Sequence, residues 1–469
     1  MKRLFPLFYY LYILQISEYN LGKFSKWYLS NWANREFVTR KTLVWTSKAK
    51  LLFLLSVLLI ACASLVLTLA FFRNWLILIL MFIVFEQLAG VFLAAAALLV
   101  KPLENLVKFY IVKSAAAKIA KMPNLKVVGI TGSAGKTSTK EFLATILSQN
   151  YKVVKTPKSY NTALGLSKTI NNMPNDTEIF IAEMGAYRRG EIKKLTDFVR
   201  PQIGILTHIN EQHLATFGNL SNIIRGKYEL IESLPRGGVA IFNLDNKYCR
   251  ALAEKTKKVK VVGYSAKNSQ ADVVAVNVRL SKDDNHFGLK IAGKTVDIST
   301  SLLGIHNVSN LLGAASAAYE LGLTPVEIAK GVGQIIPLPH RLQIVSTDND
   351  ITIIDDSYNV NPEGAMAALD VLKLFGTSRK ILVTSGMVEL GKREEQYNIA
   401  FGRKAAAVCD WLIAIGSRGK LVAEGLARAG FDSDRQIVCD SMVEAREFLD
   451  KILIPPAVVI FQTELPEIY

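Results

Sequence analysis

Gly132-Ser133-Ala134-Gly135-Lys136-Thr137-Ser138 is a run whose residue types suit one task, holding phosphate. It follows the β-branched stretch 127–131 and opens a helical pattern through Glu141, so strand, glycine turn and helix arrive in the order a phosphate loop requires. The N–H groups of such a turn point inward, and the helix adds its positive N-terminal end. Lys136 supplies a mobile charge for the β- and γ-phosphates of ATP, and Thr137 stands where its hydroxyl reaches Mg²⁺. The strict G-x-x-x-x-G-K-[ST] pattern wants glycine at Ile130, so what remains is the compact form T-G-S-A-G-K-T-S. A glycine turn followed by a surface lysine is the plain alternative.

Two further apolar runs end on polar groups. Residues 179–183 finish on Glu183, a natural place for a Mg²⁺ carboxylate and equally for a helix cap or a salt bridge. Residues 203–207 lead into a loop carrying His213, and the helix that begins near Asn219 bears Lys227. The four cysteines, Cys62, Cys249, Cys409 and Cys439, have no paired metal spacing, so they indicate neither a zinc site nor a disulfide framework.

Positioning these groups takes a sheet. Apolar runs at 127–131, 179–183, 203–207, 239–243 and 259–262 alternate with helical patterns, which predicts a mostly parallel α/β sheet with chemistry at the carboxyl ends of its strands. Short alternating segments between Ala271 and Thr300 predict an antiparallel appendage. After the stiff Pro337-Leu338-Pro339-His340-Arg341 linker, runs at 351–355, 380–384, 411–415 and 457–461 predict a second, Rossmann-like domain. The expected division is a nucleotide domain at 125–336 and a C-terminal domain at 337–469, as befits 469 residues.

The formal charge of +16 is unevenly spread. Up to Asn124 there are 15 Lys/Arg and 4 Asp/Glu, a net +11, which leaves +5 for the rest. That distribution argues against nucleic acid and for a membrane surface. Residues 51–72 are free of charge and about 33 Å long as a helix, enough to cross a hydrocarbon core of about 30 Å. A second span is read at 75–100, where Glu86 faces the partner helix, sits protonated or has an intramembrane role. Arg35, Arg40, Lys41, Lys48 and Lys50 precede the pair, and Lys101, Lys108, Lys113 and Lys118 follow it. The positive-inside rule then puts both termini and the catalytic domains on the cytoplasmic side of the inner membrane, with the hairpin tip at Arg73-Asn74 outside. Residues 1–50 form an interfacial basic segment, with 5–16 lying at the surface, and 101–124 a basic connector.

TGSAGKTSTKE, NTALG, EMGAYRRGEI, HINEQHLATFG, GKYEL, GIHNVSN, LPHRL and DDSYNVNP together resemble the Mur ligase family, in unbroken order over about residues 125–460. The resemblance implies an ATP-dependent carboxylate–amine ligase that forms an acyl phosphate, acting on a cell-wall precursor with an amino acid or dipeptide as the amine. It implies that the Gly132–Gly135 turn, Lys136 and Ser138 hold phosphates, that Thr137 and Glu183 serve one Mg²⁺, and that His213 serves a second. Lys227 matches a lysine that becomes carbamylated in many members; a solvated helix lysine is the alternative. Asn307 is implied at the adenine, or as a helix cap, with Arg341 at the phosphates and Asp356 at the ribose. Asn161, Tyr358, Asn359 and Asn361 are implied substrate contacts.

Several positions depart from the family pattern. Thr162 breaks the usual asparagine pair, Gly386 replaces an aspartate in Ser385-Gly386-Met387-Val388-Glu389-Leu390-Gly391, and Phe461–Tyr469 stands where a Lys-Gly-Ser-Arg segment is usual. The hairpin takes the place of the family's small UDP-binding domain, which suggests a lipid-linked or otherwise membrane-delivered acceptor. Two other readings stay open: a related ligase making another peptide or amidated product, and a P-loop ATPase driving a membrane partner without ligation.

Overall fold

A computed structural model describes residues 6–31, 43–72, 75–358 and 360–463, the side chains of 71–75 excepted. Arg35, Arg40, Lys41, the Arg73-Asn74 tip, Asn359 and the tail 464–469, all singled out above, lie outside the described residues. The chain forms two compact units, Met1–Ile111 and Val112–Tyr469.

The first unit is helical: Leu7–Ile16, Leu21–Asn31, Ser47–Leu67, Trp75–Glu86 and the beginning of Ala89–Ala120. Ser47–Ala70 and Ala89–Ala120, with mean hydropathy 2.8 and 1.6, are long and apolar enough to cross a bilayer. Along the first of these, Leu52, Ser56, Ile60, Ser64 and Thr68 recur every fourth residue and are buried. The hydroxyls of Ser56, Ser64 and Thr68 donate to carbonyls one turn back, at 2.7, 2.8 and 2.8 Å. Leu54, Leu58, Leu65, Val66 and Leu69 face outward. Hydroxyls inside and leucines outside reverse the pattern of a water-soluble bundle.

Two expectations change in this unit. Residues 75–100 are not one helix: Trp75–Glu86 stops, Gln87-Leu88 turn, and Ala89–Ala120 runs on through the stretch read as a separate connector. The break has a polar cause. The Glu86 carboxylate accepts the Leu7 N–H at 3.2 Å, which places it at the N-terminal end of the first helix, where free N–H groups and the helix dipole both favour an acid. The stretch expected to lie at a membrane surface contributes to the unit's core, where Leu7 and all of residues 9–14 are buried.

The second unit holds two sheets. The first joins β1 (Lys126–Thr131), β2 (Val153–Lys155), β3 (Ile179–Glu183), β4 (Ile203–Leu206), β5 (Val239–Asn243), β6 (Lys260–Ser265), β7 (Val273–Leu280), β8 (Asn285–Ile291) and β9 (Lys294–Thr300). Their order is β2-β3-β1-β4-β5-β6-β7-β8-β9. Strands from β2 to β7 pair in parallel, and β8 and β9 complete an antiparallel meander. The expected appendage at 271–300 thus continues the main sheet, because Tyr264 of β6 registers with Val273 of β7. Burial on both faces explains the unbroken apolar runs: Val128 and Ile130 pack with helices Lys136–Leu147 and Ile305–Glu320, while Val127 packs with Glu191–Val199 and Leu220–Glu232.

The second sheet comprises β10 (Gln343–Asp348), β11 (Ile351–Asp355), β12 (Arg379–Thr384), β13 (Trp411–Ile415), β14 (Gln436–Cys439) and β15 (Ala457–Gln462), in the order β10-β11-β15-β12-β13-β14. Only the β10–β11 pair is antiparallel. The carboxyl ends of β1, β3 and β4 and the loops after β11 and β12 carry the groups described next.

Candidate active site

The phosphate loop is built by close approach. Thr207, just past β4, donates its hydroxyl to the carbonyls of Thr131 and Ala134 at 3.2 and 2.6 Å. A Cβ on Gly132 would stand 2.0 Å from that hydroxyl, so only glycine fits. Gly135 caps helix Lys136–Leu147 with φ +81°, a left-handed conformation that glycine adopts without strain. Ser133 Oγ accepts the Asn210 N–H at 3.1 Å, which ties the loop to the segment after β4. Lys136 curls over the turn, donating to the carbonyls of Gly132 and Ser133 at 2.8 and 3.3 Å. Burial pulls its pKa below 10.5, with the Glu183 carboxylate opposing.

Two cavities open beside the loop. The first, about 130 Å³, is walled by Ser138, His306, Asn307 and Asp356. Burial, seconded by Arg341, pushes the pKa of His306 down to about 4, so the ring is neutral at pH 7; its buried Nδ1 has no partner among the described residues. Asn307 donates to the Leu303 carbonyl at 2.9 Å, and Gly304, not Asn307, is the helix cap. Burial pushes the Asp356 carboxyl up to about 7, against the pull of a 3.1 Å hydrogen bond from Gln462 and the charge of Arg341.

The second cavity, about 190 Å³, is lined by Lys136, Thr137, Asn161, Glu183 and His213. Arg341, Tyr358 and Asn361 line both. The Arg341 guanidinium lies 4.3 Å from the centre of the Tyr358 ring, whose hydroxyl meets Ser159 at 2.5 Å. Asn361 caps helix Pro362–Lys373 by accepting the N–H groups of Glu363 and Gly364 at 3.2 and 3.1 Å.

Glu183 forms the salt bridge that was one of its alternatives. Its two oxygens take Lys140 and Asn161, each at 3.3 Å, and Lys140 also reaches Glu141 at 3.3 Å and the Lys158 carbonyl. His213 sits in left-handed backbone, φ +63°, with Nδ1 2.7 Å from Glu389 and its ring edge-on to Tyr187. Lys227 is not a solvated lysine. It is 1% exposed in helix Leu220–Glu232, 5.9 Å from the Phe217 ring, with no carboxylate in ion-pair range among the described residues. Burial first, and the Lys136 charge second, hold its amine well below the usual lysine pKa. It is not among the residues lining the His213 cavity.

A hydroxyl, a carboxylate and an imidazole around one cavity suit a hard cation. Among the described residues no three His, Cys, Asp or Glu form a cage. Mg²⁺ binds through one or two protein groups and completes its shell with phosphate and water, so Thr137 and Glu183 are the groups that would hold it.

Several residues of the site went unassigned in the sequence. Lys140 lies one turn after Lys136, His208 opens the loop that His213 closes, and Glu389 lies in the SGMVELG stretch. Their spacing is the signal that could have found the first two; Glu389 and Glu363 come from the second sheet's side and only folding brings them near.

Residues 130–318 match the Mur ligase middle domain and 340–462 the Mur ligase, glutamate ligase domain. The UDP-N-acetylmuramoyl-tripeptide–D-alanyl-D-alanine ligase of Bacillus subtilis (strain 168) is 33% identical over 312 residues, 66% of this chain and 66% of that protein. The same-named protein of Escherichia coli (strain K12) is 30% identical over 338 residues, 70% of this chain and 75% of that one. The chain therefore spans roughly two thirds to three quarters of these relatives' lengths. A crystal structure of MurF from Acinetobacter baumannii superposes with TM-score 0.70 at 27% identity, over 75% of this chain and 76% of that one. MurF ligase from Thermotoga maritima in complex with ADP has the same fold, with TM-score 0.68 at 23% identity over 76% and 80%. Two family domains matched in order, on the sheets that carry the loop and both cavities, together with a relative aligned over most of its length, make this chain a member of the Mur ligase family.

Proposed function

We propose that the protein is a membrane-anchored, ATP-dependent ligase joining D-alanyl-D-alanine or a similar amine to a carboxylate of a peptidoglycan precursor. The observation that carries this reading is that the two cavities share the walls Gly135, Arg341, Tyr358 and Asn361. A nucleotide seated over the phosphate loop therefore points its triphosphate at the cavity where a second substrate fits. The relatives' names supply the amine.

In this reading residues 125–336 bind ATP and 337–469 close the site. An oxygen of the acceptor carboxylate attacks the γ-phosphorus and ADP leaves. The amine nitrogen then attacks the acyl carbon, phosphate departs, and the nitrogen loses a proton. Lys136, the loop N–H groups and Arg341 offset the charge that moves between phosphates, where electrostatic stabilisation matters most. Asn307 and Asp356 hold adenine and ribose, and Asn161, Tyr358 and Asn361 face the acceptor and amine. Mg²⁺, one ion at Thr137 and Glu183 and a second toward His213, supplies further charge neutralisation. Burial lowers the Lys227 amine pKa, which favours the unprotonated form that takes up CO₂, and as a carbamate the side chain would carry a negative charge.

Membrane anchorage is supported by the outward leucines and inward hydroxyls of Ser47–Ala70 and by basic flanks at Lys48, Lys50, Lys101 and Lys108. In this reading the ligase lies on the cytoplasmic side, which fits an acceptor delivered at the bilayer.

The test is phosphate release by the full-length protein in detergent, pairing soluble and lipid-linked muramoyl-peptide carboxylates with D-Ala-D-Ala and other amines, with product masses recorded. Release should require both partners, yield a condensed mass, and vanish in Lys136→Ala. Release indifferent to the pair would make the protein a simple ATPase.

A further inference from the structure

The segment His208–His213 is held from the second sheet's side at four points. Glu363 contacts His208 and accepts from Asn210 at 3.1 Å. Glu211 receives Arg393 at 2.6 Å and the Tyr397 hydroxyl at 2.7 Å. The contact at the fourth residue, His213 Nδ1 to Glu389 at 2.7 Å, differs in kind from the others. Both of its partners are non-glycine residues in left-handed backbone, φ +63° and +66°. Such conformations cost about 1 to 3 kcal/mol each and persist only where the surroundings over-determine them. Even counted as an ion pair, a half-exposed contact of this kind contributes about 0 to 1 kcal/mol, too little to offset two strained residues for stability alone.

The geometry accounts for the strain differently. A carboxylate on Nδ1 accepts that nitrogen's proton, which fixes the neutral tautomer and leaves the Nε2 lone pair for another partner. The edge-on Tyr187 ring, 4.8 Å away between centroids, fixes the plane of the imidazole. The ring lines the cavity it shares with Thr137 and Glu183.

We propose that Glu389 is the positioning residue for His213: it crosses from the second sheet to set the tautomer and aim Nε2 into the cation cavity. The cavity is then a site shared between the two sheets, complete only when the loop after β12 stands against the loop after β4. This rests on the ligase reading for the identity of the cation.

The experiment uses the full-length protein with ADP and two readouts. The first is side-chain ¹⁵N NMR of the five histidines, which reports tautomers without any metal. The second is Mn²⁺ affinity by electron paramagnetic resonance. Glu389→Ala should shift the His213 ¹⁵N pattern toward mixed tautomers and weaken Mn²⁺ binding about 10- to 100-fold. Glu389→Gln keeps an acceptor and should fall between. Arg393→Ala, which breaks the neighbouring cross-sheet pair, should leave the His213 tautomer unchanged. An unchanged His213 tautomer and unchanged Mn²⁺ affinity in Glu389→Ala would overturn the proposal, and so would an equal effect from Arg393→Ala. A parent protein that binds no Mn²⁺ would overturn the cation reading itself and this proposal with it.

Discussion

Replacing Asp356 by asparagine should stabilise the protein, and only at the alkaline end. The carboxyl is raised from 3.8 to about 7, burial being the largest cause. The folded state therefore binds its proton more tightly than the unfolded chain. Its contribution is fully present below 3.8 and is lost as pH rises through about 7. At about 1.36 kcal/mol per pH unit, the loss reaches about 4 kcal/mol above pH 7, of which about 3 kcal/mol develops between pH 5 and pH 7. Water in the cavity that Asp356 lines screens part of this, so about 2 to 3 kcal/mol is the expected change between pH 5 and pH 8. Asparagine keeps the shape, can still pair with Gln462, and cannot ionise. Urea unfolding at the two pH values, followed by the fluorescence of Trp411 on the same sheet, reads the difference between variant and parent. A difference that changes by less than about 0.5 kcal/mol between pH 5 and pH 8 would refute the reasoning. The same variant should bind nucleotide more weakly, since the acid lines the cavity proposed for the nucleotide; stability and ligand affinity then move in opposite directions.

Lys227→Ala should lower the rate of ADP formation strongly, with partial recovery on adding a short-chain carboxylate, because burial holds the amine well below the usual lysine pKa and no carboxylate among the described residues pairs with it; absence of both the defect and the recovery would argue against carbamylation. Gly135→Ala should cost about 1 to 2 kcal/mol of stability and weaken ADP binding in calorimetric titration, because φ is +81° and the new Cβ would stand 2.4 Å from Asn310 Oδ1. Asn310→Ala in the same chain should restore part of the affinity, and unaltered binding by Gly135→Ala alone would contradict the close approach.

The parallel strands were legible because burial on both faces demands continuous apolar runs, and 179–183, 239–243, 351–355 and 411–415 coincide with β3, β5, β11 and β13. β2, β10 and β14 were not, being short or edge strands whose half-exposed residues give no run. Periodicity likewise failed at Glu86, where hydropathy says one helix and the structure has two: the acid's partner, Leu7 N–H, is 79 residues away and no local window contains it. Within the site, Lys136, Thr137, Glu183 and His213 do line one cavity, as the order of loops at strand ends implied. Lys227 was legible as a position, not as an environment, since the Phe217 ring beside it comes from the preceding turn of chain. Lys140, which binds Glu183, was overshadowed by Lys136 one helical turn earlier.

Under the membrane anchorage proposed above, the contact between Leu7 and Glu86 also imposes an order on assembly. A helix of 10 residues is about 15 Å long, half of what a bilayer requires, so it has no means of inserting on its own as it leaves the ribosome. It must wait at the membrane surface until some 70 further residues have been made. Only then does Glu86 arrive to take up the free N–H of its first turn and admit it to the bundle. In that proposal Leu7–Ile16 can join the bundle only once Glu86, 79 residues further along the chain, has been made.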